Sequence, residues 1–190
     1  MKLHYFIIPL MMLAQPNTQA ALNAYLRLTG ETQGDIKGDV TTAGREESIE
    51  VNAFNHAVVA PRDAASGLPT GNREHKPLSI VKGIDKSSPL LMQALVTNEN
   101  ITTLELRFWR PSRTGQGEEQ YYTIKLENAA IAGIREWKPN TKDRASRSYG
   151  DMEEISWTYQ KISWTYEDGG ITAEDDWETP ITLAPEPVDK

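Results

Sequence analysis

The 190-residue chain contains no cysteine. That excludes a disulfide framework, thiolate nucleophiles and cysteine-based metal sites. Histidine is nearly as scarce, with only His4, His56 and His75, so histidine-dependent catalysis has few candidates. No apolar run approaches the roughly 18–20 residues that a membrane-spanning helix requires, and no membrane insertion is expected. Basic charge is also in deficit: 20 Lys and Arg stand against 27 Asp and Glu, a formal net charge of −7. Broad binding to nucleic acid or to anionic membranes needs the opposite balance. What is present is a chain long enough for one domain with a substantial core.

The most informative stretch runs from Glu153 to Trp177. The pentapeptide Ile-Ser-Trp-Thr-Tyr occurs at 155–159 and again at 162–166. β-branched and aromatic residues favour a pleated strand. Ile155, Trp157 and Tyr159 share one face by alternation, as do Ile162, Trp164 and Tyr166. The two triplets have opposite parity, so an extra residue at Gln160–Lys161 is needed to bring them to a common face. No turn-forming residue lies between them, which predicts one long kinked strand. Asp168-Gly169-Gly170 then reads as a hairpin turn, with 171–177 returning.

The remaining pattern is of short strands. Residues 22–29 alternate cleanly, and 47–59 predict a second strand in which Phe54 breaks the alternation. Residues 61–77 form a long loop with three Pro and two Gly, a length usually reserved for functional or mobile segments. A strand over 78–84 leads to the clearest helix signal, with Ser88 as N-cap and Pro89 at the first helical position. Leu90, Leu91, Ala94 and Leu95 form its apolar face. Further strands are expected over 101–110, 119–127 and 129–138. Together these predict a mainly β domain over 21–177: a small antiparallel β-barrel or two-sheet sandwich with one short α-helix. Residues 1–20 carry Lys2, a short apolar run and a Thr-Gln-Ala end, the pattern of a cleavable secretory signal. An upstream start is the alternative reading. Residues 178–190, rich in acids and Pro, predict a flexible tail.

No catalytic constellation emerges. His56 is expected to be a partly buried hydrogen-bonded residue and His75 a surface one. There is no Gly-x-Ser-x-Gly elbow and no metal-binding spacing. The adjacent acid pairs Glu46-Glu47, Glu118-Glu119, Glu153-Glu154 and Asp175-Asp176 point to opposite faces of strands and read as solvated charges. No cofactor is implied. Binding or assembly remains, and a short-stranded β domain has edges to cover.

In order and spacing, several segments resemble the Hcp family, the tube proteins of bacterial type VI secretion. They are Asp35-Ile36-Lys37-Gly38, Ser48-Ile49-Glu50-Val51 with His56 after it, Ile84-Asp85-Lys86-Ser87-Ser88-Pro89, Leu126-Glu127-Asn128, and Ile162 to Gly169 followed by Trp177. The resemblance implies a small β-barrel and a homohexameric ring. It further implies stacking of rings inside a contractile sheath and export from the cytoplasm by the type VI apparatus. The implied partners are further copies of the chain, a valine-glycine-repeat spike protein, the sheath, and small effector proteins in the lumen. It also implies that the loop matching 61–77 contacts neighbouring subunits or the next ring. The interface candidates are Pro61, Arg62, Asp63, Leu68, Arg73, His75, Ser88 and Met92. A genuine leader would instead route the chain through the periplasm. The competing function is an exported, monomeric β-sandwich binding module.

Overall fold

Alternating residues with one apolar face form the first strand, β1 (Ala24–Gly30), whose Ala24, Leu26 and Leu28 point inward. The computed structural model describes residues 22–113, 115, 117–146 and 150–177. The expected leader and tail lie outside them. After β1 come β2 (Gly34–Ile36), β3 (Ile49–Val51), β4 (Ala53–Asn55), β5 (Val58–Val59), β6 (Glu74–His75) and β7 (Leu78–Gly83). Helix α1 (Ser88–Val96) precedes β8 (Ile101–Pro111), β9 (Glu118–Trp137), β10 (Met152–Tyr166) and β11 (Ile171–Asp176).

The strands close into a barrel. Hydrogen bonding runs β1-β8-β9-β10-β7-β4, all antiparallel, and β3 returns to β1. Only Asn52 separates β3 from β4, and its N–H donates to Val81 O at 2.8 Å. This segment therefore faces β1 with its first half and β7 with its second, which joins the two ends of the sheet. The single strand expected over 47–59 is thus three short ones. Phe54 breaks the alternation because it lies outside, 43% exposed, edge-on to Phe108 at 4.9 Å. The interior is filled by Leu26, Ile49, Leu78, Ile80, Leu104, Leu106, Leu126, Ile155, Trp157 and Ile162, each fully buried. Each such aliphatic side chain gains about 1.5–3 kcal/mol on transfer from water.

β10 is the expected single strand, with its aromatic triplets against the core except for Tyr166, whose hydroxyl accepts from Arg110 at 3.2 Å and Arg113 at 2.9 Å. Ile155, Trp157, Tyr159 and Ile162 are buried and Trp164 packs on them. The face changes at Gln160, opposite Asn128 of β9, which has a positive φ of 50° and donates through Nδ2 to Gln160 Oε1 at 2.9 Å. Both strands switch faces at the same level, so register is kept there. The register shift lies elsewhere, between Ser156 and Trp157, where Ala132 of β9 is the extra residue. The expected segments 119–127 and 129–138 are one strand, β9, for the same reason: Ile124 and Leu126 point inward before the switch, Ala129 and Ile131 after it.

The helix start differs from expectation. Ser87, not Ser88, holds the N-cap position, and its side chain makes no cap hydrogen bond. Ser88 is buried and donates to Glu153 Oε1 at 2.7 Å, while accepting from Lys82 Nζ at 3.2 Å. Asp85 does the local bracing: its carboxylate accepts from Ser87 N–H and Lys82 Nζ, both at 2.8 Å. Burial pushes the Asp85 carboxyl up, but Lys82 and Ser87 together hold it below the ordinary range. Leu91 and Ala94 face the core, Leu95 flanks it, and Leu90 is turned outward at 40% exposure.

One glycine explains why the Asp-Ile-Lys-Gly segment tolerates no side chain at its end. A Cβ at Gly38 would lie 2.4 Å from Ser48 O and 2.6 Å from Ile49 Cα, backbone atoms that cannot swing aside. Gly38→Ala should therefore cost about 1–3 kcal/mol of overpacking strain, read as a lowered denaturant midpoint with an unchanged slope.

Candidate assembly surface

Residues 57–76 leave the barrel as an ordered arm rather than a loose loop. β5 and β6 form its stem, antiparallel, with Val58 opposite His75. Further out, Arg62 bridges Pro69, and Thr70 N–H donates to Pro61 O at 3.0 Å. The tip is a turn built by Asp63. Its carboxylate accepts from Ser66 Oγ and Ser66 N–H, both at 2.7 Å, and from Ala65 N–H at 3.2 Å. Those Ser66 and Ala65 donors hold the Asp63 carboxyl below its ordinary range. Arg62 donates to Gly67 O at 3.1 Å. Several of the arm's backbone amides bond within it, and Leu68 is 65% exposed at the tip, with Val58 and Val59 exposed along the stem.

The foot of the arm is fixed to the barrel by a partly buried polar chain. His56, just after β4, meets Tyr159 Oη through Nε2 at 2.6 Å. The same hydroxyl meets His75 Nδ1 at 2.9 Å, and His75 Nε2 meets Asp175 Oδ2 at 2.6 Å. Arg73 pairs with Asp175 and donates to Asp176 O at 3.0 Å. The Trp177 ring lies 5.3 Å from that of His75. Burial, with the Asp175 charge, raises the Tyr159 hydroxyl far above its ordinary value; it is a proton-bearing bridge and no nucleophile.

The interface candidates thus divide. Arg62, Asp63 and Leu68 are exposed on the arm, with Pro61 and Arg73 partly covered and Met92 partly covered on the helix. Two expectations need correction. His75 is not a surface residue, because Asp175 and Tyr159 draw its side chain inward to 2% exposure. Ser88 is buried under the helix start, where Lys82 and Glu153 use its hydroxyl. Asp175 and Glu153, read as solvated charges, are likewise structural. Tyr159 and Asp175 carried no signal as partners of His75, since they stand 84 and 100 residues away.

Two further features mark the surface. Among the described residues β2 pairs with β1 alone and β11 with β10 alone, so each leaves one edge without a strand partner there. Beside β4 lies an open groove of about 510 Å³ lined by Leu22, Phe54, Phe108, Trp109, Pro111 and Tyr121. Exposed apolar area of this kind marks interaction sites. Among the described residues no group of His, Asp or Glu is arranged to hold a metal ion, and no helix is long and apolar enough to cross a membrane.

Comparison with known proteins agrees with this architecture. Residues 25–166 match the family model described as "Type VI secretion system effector, Hcp". The chain is 40% identical over 170 residues to the "Major exported protein" of Pseudomonas aeruginosa, a match spanning 85% of this chain and 98% of that relative. Among solved structures, a crystal structure of an Hcp protein superposes with a TM-score of 0.77 at 32% identity, covering 85% of this chain and all of the other (100%). Hcp1 from E. coli EAEC 042 gives 0.72 at 35% identity, with 83% and 99% covered. The secreted protein Hcp3 from Pseudomonas aeruginosa gives 0.68 at 34%, with 84% and 100% covered. With its closed barrel, flanking helix and projecting arm, this chain belongs to the Hcp family of type VI secretion proteins.

Proposed function

We propose that the chain is a ring-forming tube subunit of a type VI secretion apparatus and is itself exported. Hexameric rings stack into a tube within a contractile sheath, the spike protein caps the tube, and small effector proteins ride in the lumen. The function is structural and uses no cofactor or catalysis. The observation that carries this reading is the arm. An arm braced by internal hydrogen bonds, locked at its foot and bearing Leu68, Val58 and Val59 outward is built to meet another surface. Pro61, Arg62, Asp63, Leu68 and Arg73 are its contact residues toward a neighbouring copy, with Met92 a second contact on the helix. The apolar groove beside β4 is a receptor of matching character. A head-to-tail contact between such unlike patches closes into a ring when the rotation allows.

Size-exclusion chromatography with light scattering on residues 21–190 tests this. A hexamer mass is expected. A clean monomer at high concentration would contradict ring formation and favour a monomeric binding module.

A further inference from the structure

The chain of hydrogen bonds at the foot of the arm has a limited capacity for protons. A carboxylate only accepts, so His75 Nε2, 2.6 Å from Asp175, carries a hydrogen. In the neutral ring, Nδ1 then holds a lone pair and takes the Tyr159 O–H. The Tyr159 oxygen in turn accepts from His56 Nε2–H. Every group is matched with both imidazoles neutral. A proton added to His75 makes Nδ1 a donor. The Tyr159 hydroxyl can then turn to His56, whose other tautomer offers a lone pair at Nε2. A second proton has no such remedy. Both nitrogens facing Tyr159 are then donors, and the O–H, on a residue only 8% exposed, has no acceptor left. A buried donor without a partner is strongly disfavoured. The two cations, with ring centroids 6.3 Å apart, also repel.

The surrounding charges offer no relief. Asp175 of β11 is the carboxylate in contact, and Arg73 shares it. Asp176 lends its carbonyl to Arg73. Lys161 of β10 is paired with Glu174 of β11 at 2.9 Å, and Glu74 on the arm is held by Lys76 at 2.7 Å. The rings of Trp164 and Trp177 lie 6.2 Å from His56 and 5.3 Å from His75.

We propose that the His56–Tyr159–His75 bridge is an acid-sensitive latch: it holds the arm on the barrel with at most one imidazole protonated, and double protonation frees the arm. The direction follows from His56. Burial, then the neighbouring His75, push its imidazolium below the ordinary range. Its contribution to docking is therefore complete above the ordinary histidine value of about 6.5 and is lost as pH falls through the depressed value. Asp175 remains ionised through this window: burial pushes it up, but Arg73 and His75 hold it below its usual range. The inference does not require ring formation, because it concerns contacts within one chain.

Hydrogen–deuterium exchange of the arm, corrected for intrinsic rate and followed from pH 8 to pH 5, tests the latch in the full chain. Protection of the Lys76 amide, which bonds to Ala57 O at the foot of the stem, should hold at neutral pH, with the Asp63 and Thr70 amides, bonded within the arm, as internal references. It should then fall by up to about tenfold per pH unit, because opening takes up one proton beyond the one the closed latch tolerates. His56→Gln supplies an amide that can donate or accept but cannot titrate, so this variant should keep its arm protected at pH 5. Loss of protection that is the same in His56→Gln as in the parent would overturn the latch and point to general acid dissociation instead. If the variant already loses protection at pH 8, the histidine ring titrations of the parent chain, followed by NMR, decide. Arm release coinciding with the second imidazole supports the proposal. Two charged imidazoles beneath a protected arm contradict it.

Discussion

Replacing Glu153 by alanine is expected to be among the most damaging single changes in the chain. Lys82 and Glu153 are directly opposed across β7 and β10. Their charged groups meet at 2.5 Å with both side chains at 0% exposure. Lys82 follows Leu78 and Ile80 on the inward face, so it occupies a core position. It also binds Asp85 at 2.8 Å and Gly83 O at 2.8 Å, while Ser88 donates to Glu153. The pair therefore ties the helix start to the floor of the barrel. Taking Glu153 away leaves the buried Lys82 with Asp85 as its one carboxylate and the Ser88 hydroxyl without its acceptor, so a loss toward the low end of about 3–5 kcal/mol is expected. That is a large share of the stability of an ordinary domain. The double change Lys82→Met with Glu153→Leu should recover most of the loss, since a buried pair is often no better than well-packed apolar residues. Urea unfolding of the parent and the two variants measures both effects. A Glu153→Ala loss below 1 kcal/mol would show that Asp85 alone balances the Lys82 charge.

The second large effect is on assembly rather than stability. Thr70 N–H already bonds to Pro61 O, so residues 62–69 can be replaced by Asn-Gly, a two-residue hairpin turn. The deleted tip carries Leu68 and makes its hydrogen bonds within itself. The shortened chain should unfold within about 0.5 kcal/mol of the parent, as expected for surface changes away from packed features. It should nonetheless run as a monomer in light scattering and fail to be exported. Retained hexamers would place the ring contacts elsewhere, such as the outer edges of β2 and β11.

Local signals in the sequence located most of the fold. The aromatic alternation of 155–166 gave one strand, Asp168-Gly169-Gly170 gave its turn, and Ser-Pro gave the helix to within one residue. What local pattern missed depended on distant partners. Glu153 looks solvated beside Glu154, yet it is buried because Lys82 faces it across the sheet. His75 looks like a loop residue until Asp175 and Tyr159 arrive from β11 and β10. Phe54 breaks the period because its segment passes from one side of the barrel seam to the other at Asn52. The arm was legible as a long segment rich in Pro and Gly, but its order comes from pairings such as Arg62 with Pro69, which no periodicity reveals. Apolar residues at its stem and tip were visible as residues; their exposure was not.

Negative-stain electron microscopy of the purified chain, residues 21–190, addresses the central claim most directly. Rings with a central hole, some of them stacked, are the expected result. A field of single small particles at concentrations where the arm is intact would contradict the assignment as a tube subunit.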